Sequence, residues 1–128
     1  VAQLKTRITY LKELDKDEAI SYNQKFISKE PMKVATIPIG YADGLRRNLL
    51  HKAKVVVKGE KRNILGTICM DSCVIDVTGL EVEVGDWVYI WDNDLISLEE
   101  IADMAGTIPY EIISTISDRV KREFIEEA

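Results

Sequence analysis

Short β-type runs divided by turn signals restrict the fold of this chain more than any other feature. At the start, Leu4, Thr6, Ile8 and Tyr10 alternate with polar residues, and this period of two predicts a half-buried strand. About eight such runs follow one another with a turn signal roughly every 8–12 residues, which is typical of a barrel or a sandwich. The sequence therefore predicts a mainly β domain, arranged as a partly open β-barrel or in a Greek-key-like way.

Several strand boundaries are also predicted from the pattern. The alternation lapses over residues 11–14, so we expect the first strand to end or bulge there. A second strand is predicted over 19–27 and a third over 34–39, where Pro38 indicates an edge strand or a bulge. The other predicted strands are 55–57 and 62–69, which form a hairpin around Lys58-Gly59-Glu60, then 70–77 with a break near residues 70–72, 87–91 and 117–125.

Two short helices are predicted near the C-terminus. Ser97 and Glu100 have the spacing of a capping box, in which both side chains accept hydrogen bonds from backbone amides at the start of a helix. Gly106 stands where such a helix would end. A second helix is predicted to begin at Pro109, since proline is tolerated in the first turn.

Length and charge exclude several classes of protein. A chain of 128 residues suits one domain but is too short for a complete α/β barrel of about 250 residues. Its 17 Lys and Arg against 22 Asp and Glu give a net charge of −5, which argues against a nucleic-acid-binding domain. No apolar run approaches the roughly 18 residues of a membrane span. The chain opens on Val1 rather than Met, as expected of a piece of a longer protein.

Cysteine and histidine are scarce, which argues against a disulfide-rich fold and a zinc site. On a straight strand Cys69 and Cys73 would lie roughly 13 Å apart, too far to bridge or share a metal without a sharp turn. His51 is interpreted as a solvated loop residue rather than part of a catalytic triad. Trp87 and Trp91, four residues apart on one strand face, are predicted to anchor the core or an interface.

Two segments have an unusual composition for β structure. Residues 37–44 place Tyr41 between two glycines in a tight loop, and residues 66–73 place Asp71 in a sulfur-rich apolar run. A charged residue in such a run is often exposed where a strand is broken. A backbone amide at such a break can remain free to bind an anion.

These segments, in this order, resemble the C-terminal domain of alanine racemases. The family has a glycine-tyrosine-alanine-aspartate-glycine motif before paired arginines, matched by Gly40–Gly44 and Arg46-Arg47. A glycine-any-isoleucine-cysteine-methionine-aspartate motif is matched by Gly66–Asp71. A later threonine-isoleucine-serine-tyrosine-arginine-valine motif is matched by Thr115–Val120 except at Asp118. The resemblance covers essentially the whole chain, so residues 1–128 are expected to form one such domain.

The resemblance implies an enzyme assembled from more than this chain. In the family, an N-terminal α/β barrel binds pyridoxal 5'-phosphate through a lysine, and a β-rich C-terminal domain follows it. Two subunits pair head to tail, so that the C-terminal domain of one completes the active site in the barrel of the other. The implied enzyme is an isomerase that interconverts L- and D-alanine, or L- and D-serine, for cell-wall precursors. A cytoplasmic location is implied, which includes the cytoplasmic part of a membrane-anchored protein.

The resemblance also assigns roles to individual residues. Tyr22, in Ser21-Tyr22-Asn23, matches the tyrosine base that takes the proton of the L-amino acid. The backbone amide of Met70 is implied to bind the substrate carboxylate. Four further positions would line the substrate entryway: Tyr41 and Asp71, with Arg46 and Ile116 farther out.

Two residues depart from the family pattern. Asn23 stands where the family usually has glycine. Asp118 replaces a tyrosine that hydrogen-bonds the cofactor phosphate, and an ionised carboxylate there cannot donate and would repel phosphate. We hypothesise that this smaller, polar residue widens the pocket for serine, as in the membrane-anchored serine racemases of vancomycin resistance. The alternative hypothesis is a non-catalytic β-barrel module used for accessory or interaction purposes.

Overall fold

A computed structural model describes residues 3–20, 26–45, 47–49, 52–66, 68–116 and 120. Within these ranges the chain is mainly β, with two short helices after the last strand. The elements are β1 (Leu4–Arg7), β2 (Tyr10–Leu14), β3 (Ala19–Ile20), β4 (Phe26–Ile27), β5 (Met32–Ile37), β6 (Lys54–Val57), β7 (Glu60–Leu65), β8 (Cys73–Asp76), β9 (Trp87–Trp91), α1 (Leu98–Ala105) and α2 (Pro109–Ser114).

Seven strands form one curled antiparallel sheet in the order β1-β9-β6-β7-β8-β5-β2, and β3 and β4 pair separately. β1 and β2 follow each other in the chain but stand at opposite ends of this order. Between them, the Ile8 N–H donates to Asp86 O at 2.9 Å and the Thr9 N–H donates to Thr36 O at 3.0 Å. The bend at Ile8 and Thr9 therefore bonds next to β9 near one end of the strand order and to β5 near the other end. The sheet accordingly curls into the predicted barrel-like shape.

The core lies inside this curl because alternate residues of the strands are apolar. Val55 and Val57 on β6, Ile75 on β8, Val88 on β9 and Ile37 on β5 are fully buried. Removing such side chains from water is the main stabilising contribution to a sheet of this kind.

The hairpin and both helices agree with the predictions because local chemistry determines them. Lys58 and Gly59 both have positive φ, 51° and 75°, as a two-residue hairpin turn requires. The Ser97 hydroxyl accepts from the Glu100 N–H at 3.1 Å, and the Glu100 carboxylate accepts from the Ser97 N–H at 3.3 Å. No helix within the described ranges is both long and apolar enough to cross a membrane.

Four boundary predictions were wrong. The predicted strand 62–69 ends early, because β7 ends at Leu65 and residues 68–72 form a loop. Residues 11–14 continue in strand as part of β2, which is held by its pairing with β5 although most of its side chains face solvent. Residues 19–27 are not one strand, since Ala19 pairs with Ile27 in an antiparallel ribbon. β5 is paired on both sides, and Pro38 follows its last residue rather than marking an edge. The predicted strand 117–125 falls almost wholly outside the described residues and stays a prediction.

The two tryptophans of β9 have different surroundings. Trp91 is part of the core, as predicted. Trp87 is 39% exposed and lies against two cations, with Lys5 Nζ 4.1 Å and the Arg7 guanidinium carbon 3.8 Å from its ring centre. These contacts are cation–π interactions on the outer surface of the sheet.

Candidate functional site

Two loops that are distant in sequence leave the sheet at the same end. β5 and β8 are antiparallel neighbours, and Ile37, the last residue of β5, pairs with Cys73, the first residue of β8. The glycine loop (residues 38–45) therefore starts beside the point where the cysteine loop (residues 68–72) ends. The sheet topology thus brings together the two segments that the sequence analysis singled out.

Backbone hydrogen bonds join the two loops directly. The glycine loop contains a 3₁₀ turn at Tyr41–Asp43, and the first N–H groups of such a turn have no acceptor within it. The Tyr41 N–H donates to Cys69 O at 3.0 Å and the Ala42 N–H donates to Met70 O at 2.8 Å. The carbonyl oxygens of the cysteine loop therefore accept from amides of the 3₁₀ turn that have no acceptor within the turn.

Gly40 permits this contact because it has no side chain. A Cβ at this position would lie 2.1 Å from Cys69 O and 2.7 Å from the carbonyl carbon and oxygen of Met70. Its φ of −149° is ordinary extended backbone, so the requirement for glycine here is one of space.

A buried carboxylate closes the glycine loop. Asp43 is 5% exposed, and its Oδ2 accepts a hydrogen bond from the Gly40 N–H at 3.1 Å. The Asp43 N–H in turn donates to Gly40 O at 3.0 Å. In the sequence, Asp43-Gly44 is an ordinary turn signal. The Asp43 carboxylate, three residues after Gly40, makes the half of a capping box in which the third residue accepts from the N-cap amide.

The hydrogen bond at Cys69 O determines where the Met70 N–H points. Both groups belong to one planar trans peptide unit, in which C=O and N–H point in opposite directions. Since Cys69 O faces the glycine loop, the Met70 N–H faces away from it. No described residue accepts a hydrogen bond from this N–H, and Met70 is 56% exposed. The arrangement presents a fixed amide donor of the kind that can bind an anion.

The end of α2 completes the cluster. A Cβ on Gly44 would lie 2.9 Å from Ile116 Cδ1 and 3.0 Å from Ile116 Cα, so the two backbones approach closely. Gly44 also has a φ of +108°, which favours glycine. Of the predicted site residues, Tyr41, Met70, Asp71 and Ile116 thus lie on two joined loops and the segment packed against them. The others, Tyr22, Arg46 and Asp118, lie outside the described residues, as do Asn23 and His51.

Cys69 and Cys73 form no disulfide, and Cys69 is exposed whereas Cys73 is buried. The chain turns between them, because the Cys69 N–H donates to Ser72 O at 2.9 Å. Burial, and to a smaller extent the neighbouring Cys69, raises the pKa of Cys73 to about 12. Cys73 is therefore a neutral, unreactive thiol at pH 7. Among the described residues, no three His, Cys, Asp or Glu side chains converge as a metal site would need.

Comparison with known proteins gives one consistent family. The family model described as "Alanine racemase, C-terminal domain" matches residues 1–124. An alanine racemase of Clostridium perfringens is 46% identical over 123 residues, which cover 93% of this chain and 32% of the relative. "Alanine racemase 2" of Caldanaerobacter subterraneus is 47% identical over 125 residues, 94% of this chain and 32% of the relative.

Solved structures agree with the sequence comparison. An alanine racemase from Bacillus anthracis with bound L-Ala-P matches with a TM-score of 0.89 and 39% identity, over 97% of this chain and 32% of that one. An alanine racemase of Clostridium difficile in complex with cycloserine matches with a TM-score of 0.86 and 37% identity, over 92% of this chain and 32% of that one. The chain thus spans about a third of the length of the relatives that it matches.

Proposed function

Because this chain belongs to the alanine racemase C-terminal domain family, we propose that residues 1–128 are one domain of a longer enzyme that interconverts L- and D-alanine. The observation that carries this proposal is the junction of the two motif loops around the outward amide of Met70. The chain accounts for 32% of the length of its relatives. The rest would include the α/β barrel and the lysine that holds pyridoxal phosphate.

Within this proposal the described residues act on the substrate carboxylate. A carboxylate accepts readily from a backbone N–H, and a donor fixed before the substrate arrives needs no reorganisation. The Met70 N–H faces away from the glycine loop and has no acceptor among the described residues, which supports this role. We propose that Tyr41, which is 45% exposed, and Asp71 line the entryway beside it, and that Arg46 and Ile116 contribute farther out.

Proton transfer is proposed for Tyr22, whose Oη takes the α-proton of L-alanine. A free phenol has a pKa of about 10, so this base needs donors or cations supplied by the barrel. Pyridoxal phosphate, when bound, spreads the negative charge that develops at the α-carbon. The Met70 amide, with Asp71 and Tyr41 beside it, suits a contact with the small substrate. We propose that the cofactor itself binds in the barrel.

Two subunits are proposed to form each pair of active sites. The bases must flank the substrate α-carbon, so the domain that carries Tyr22 and Met70 has to meet a barrel that carries the lysine. We propose that this barrel belongs to the second subunit of a homodimer. This division of the site explains why the chain alone would hold only half of the catalytic groups.

Activity of the full-length protein and of this chain by itself tests the proposal. We expect the full-length protein with pyridoxal phosphate to interconvert alanine enantiomers, measured by chiral chromatography. The isolated chain is expected to show neither turnover nor the absorbance band of bound cofactor. An inactive full-length protein, or an active isolated chain, would contradict the proposal, and inactivity would favour the accessory-module alternative.

Serine is proposed as an additional substrate because Asp118 replaces a tyrosine of the family pattern. A carboxylate is shorter than a phenol and offers polar atoms to a hydroxymethyl group. We expect kcat/KM for L-serine to equal or exceed that for L-alanine, and Asp118→Tyr to shift this ratio about 10-fold towards alanine. A strong alanine preference that Asp118→Tyr leaves unchanged would reject the idea.

A further inference from the structure

We propose that Asp43 is a positioning residue that holds the Met70 amide in the direction needed to bind the substrate carboxylate. The proposal rests on the function proposed above and adds to it a residue that does not itself touch substrate. Asp43 lies below the surface at 5% exposure, whereas Met70 is 56% exposed. Its effect would therefore pass through the backbone of the two loops.

The first step is the hydrogen bond from the Gly40 N–H to the Asp43 carboxylate, 3.1 Å long and buried. A buried N–H without an acceptor is costly, so this bond fixes the orientation of Gly40 and the closure of the loop. Gly40 O is held at the same time by the Asp43 N–H at 3.0 Å and the Leu45 N–H at 3.2 Å. Both polar groups of Gly40 thus depend on the closed turn.

The second step joins this turn to the cysteine loop. With Gly40 fixed, its bare Cα packs on Cys69 O and on the Met70 carbonyl group, and the Tyr41 N–H reaches the oxygen of the Cys69–Met70 peptide at 3.0 Å. The planarity of that peptide then sets the direction of the Met70 N–H. The Ala42 N–H holds the next carbonyl, Met70 O, at 2.8 Å, so the Met70 residue is restrained at both of its peptide units.

A matched control exists elsewhere in the fold. Asp86 repeats the same local arrangement: its Oδ2 accepts from the Glu83 N–H at 2.8 Å, and its own N–H donates to Glu83 O at 3.1 Å. It lies beside the hairpin turn, with Lys58 Nζ 3.4 Å from its carboxylate. This turn is at the start of β7, while the cysteine loop follows the end of β7, so Asp86 is remote from the site. Asp86→Ala removes the same kind of bond without touching the two loops.

The experiment compares Asp43→Ala, Asp43→Asn and Asp86→Ala in the full-length protein with pyridoxal phosphate. We expect Asp43→Ala to raise KM for alanine and the inhibition constant of propionate about 10-fold each. Propionate keeps the carboxylate of alanine but lacks its amino group. The value of kcat should stay within about threefold, because a contact that is equal in ground and transition states affects binding alone. Asp43→Asn keeps an oxygen acceptor and should restore most of the affinity.

Each outcome separates the positioning role from loss of folding and from failure of the proposed function. Asp86→Ala removes an exposed bond and should lower the melting temperature less than Asp43→Ala does, and it should leave KM and propionate inhibition unchanged. Wild-type constants in folded Asp43→Ala, or a fall in kcat at constant KM, would overturn the positioning role alone. If Asp43→Ala does not fold, Asp43→Ser takes its place, because its hydroxyl is shorter and accepts more weakly than a carboxylate. A raised KM with wild-type kcat in folded Asp43→Ser supports the role, and wild-type kinetics overturn it. A wild-type enzyme without racemase activity would overturn the proposed function and this inference together.

Discussion

Replacing Tyr22 with phenylalanine in the full-length protein is expected to lower alanine racemisation by about 10²–10⁴-fold in both directions. The change removes one oxygen and keeps the ring, so the shape of the site is preserved. Racemisation needs a base on each face of the α-carbon, one to take the proton and one to return it. Loss of either base therefore slows conversion from both enantiomers.

A second measurement assigns Tyr22 to one face. In deuterium oxide, Tyr22→Phe should still exchange the α-proton of D-alanine, because the proposed barrel lysine serves that face. Exchange of the α-proton of L-alanine should be lost, as followed by proton NMR. Tyr89→Phe, on the half-exposed middle of β9, is the matched control and should leave both rates unchanged. Normal two-way racemisation by Tyr22→Phe would remove the catalytic assignment.

The parts of the fold that the sequence predicted are those set by neighbouring residues. The turn at Lys58-Gly59 needs two residues with positive φ, and the start of α1 needs an acceptor for its free amides, so both can be recognised within a few residues. The lapse of alternation at residues 11–14 misled because β2 is held by its pairing with β5. Pairing between distant strands leaves little trace in a short window of sequence.

The candidate site also contains residues that sequence motifs identify and features that only the packed structure reveals. Tyr41, Met70, Asp71 and Ile116 could be proposed from motifs. The sheet topology brings the first three together, and Ile116 joins them by packing on Gly44. The burial of Asp43 could not be predicted, because a carboxylate in an aspartate-glycine turn is ordinarily solvated. Its burial is a property of the folded loop and not of its neighbours in the sequence. The direction of a single backbone amide is likewise a property of the packed loops.

Gly40→Ala is expected to lower kcat/KM of the full-length enzyme by about 10²-fold, since displacement of a site by about 1 Å can cost this much. The new Cβ would be 2.1 Å from Cys69 O, so the loops must separate by about 1 Å or more to reach ordinary contact. Separation would weaken the bonds from the Tyr41 and Ala42 amides to the cysteine loop and would redirect the Met70 N–H. The cost in stability should be about 1–3 kcal/mol, as for an overpacked core.

The matched variant Gly59→Ala distinguishes crowding at the site from a general effect of alanine. Gly59 has a φ of +75°, and a Cβ at this position would have nothing within 4 Å, so alanine there is strained but meets no atom. It should cost about 1–2 kcal/mol of stability and leave kcat/KM unchanged. Thermal melts followed by circular dichroism, together with kinetics at a temperature where both variants are folded, separate the two effects. A wild-type kcat/KM in folded Gly40→Ala would mean that the junction of the loops does not position the amide for substrate binding.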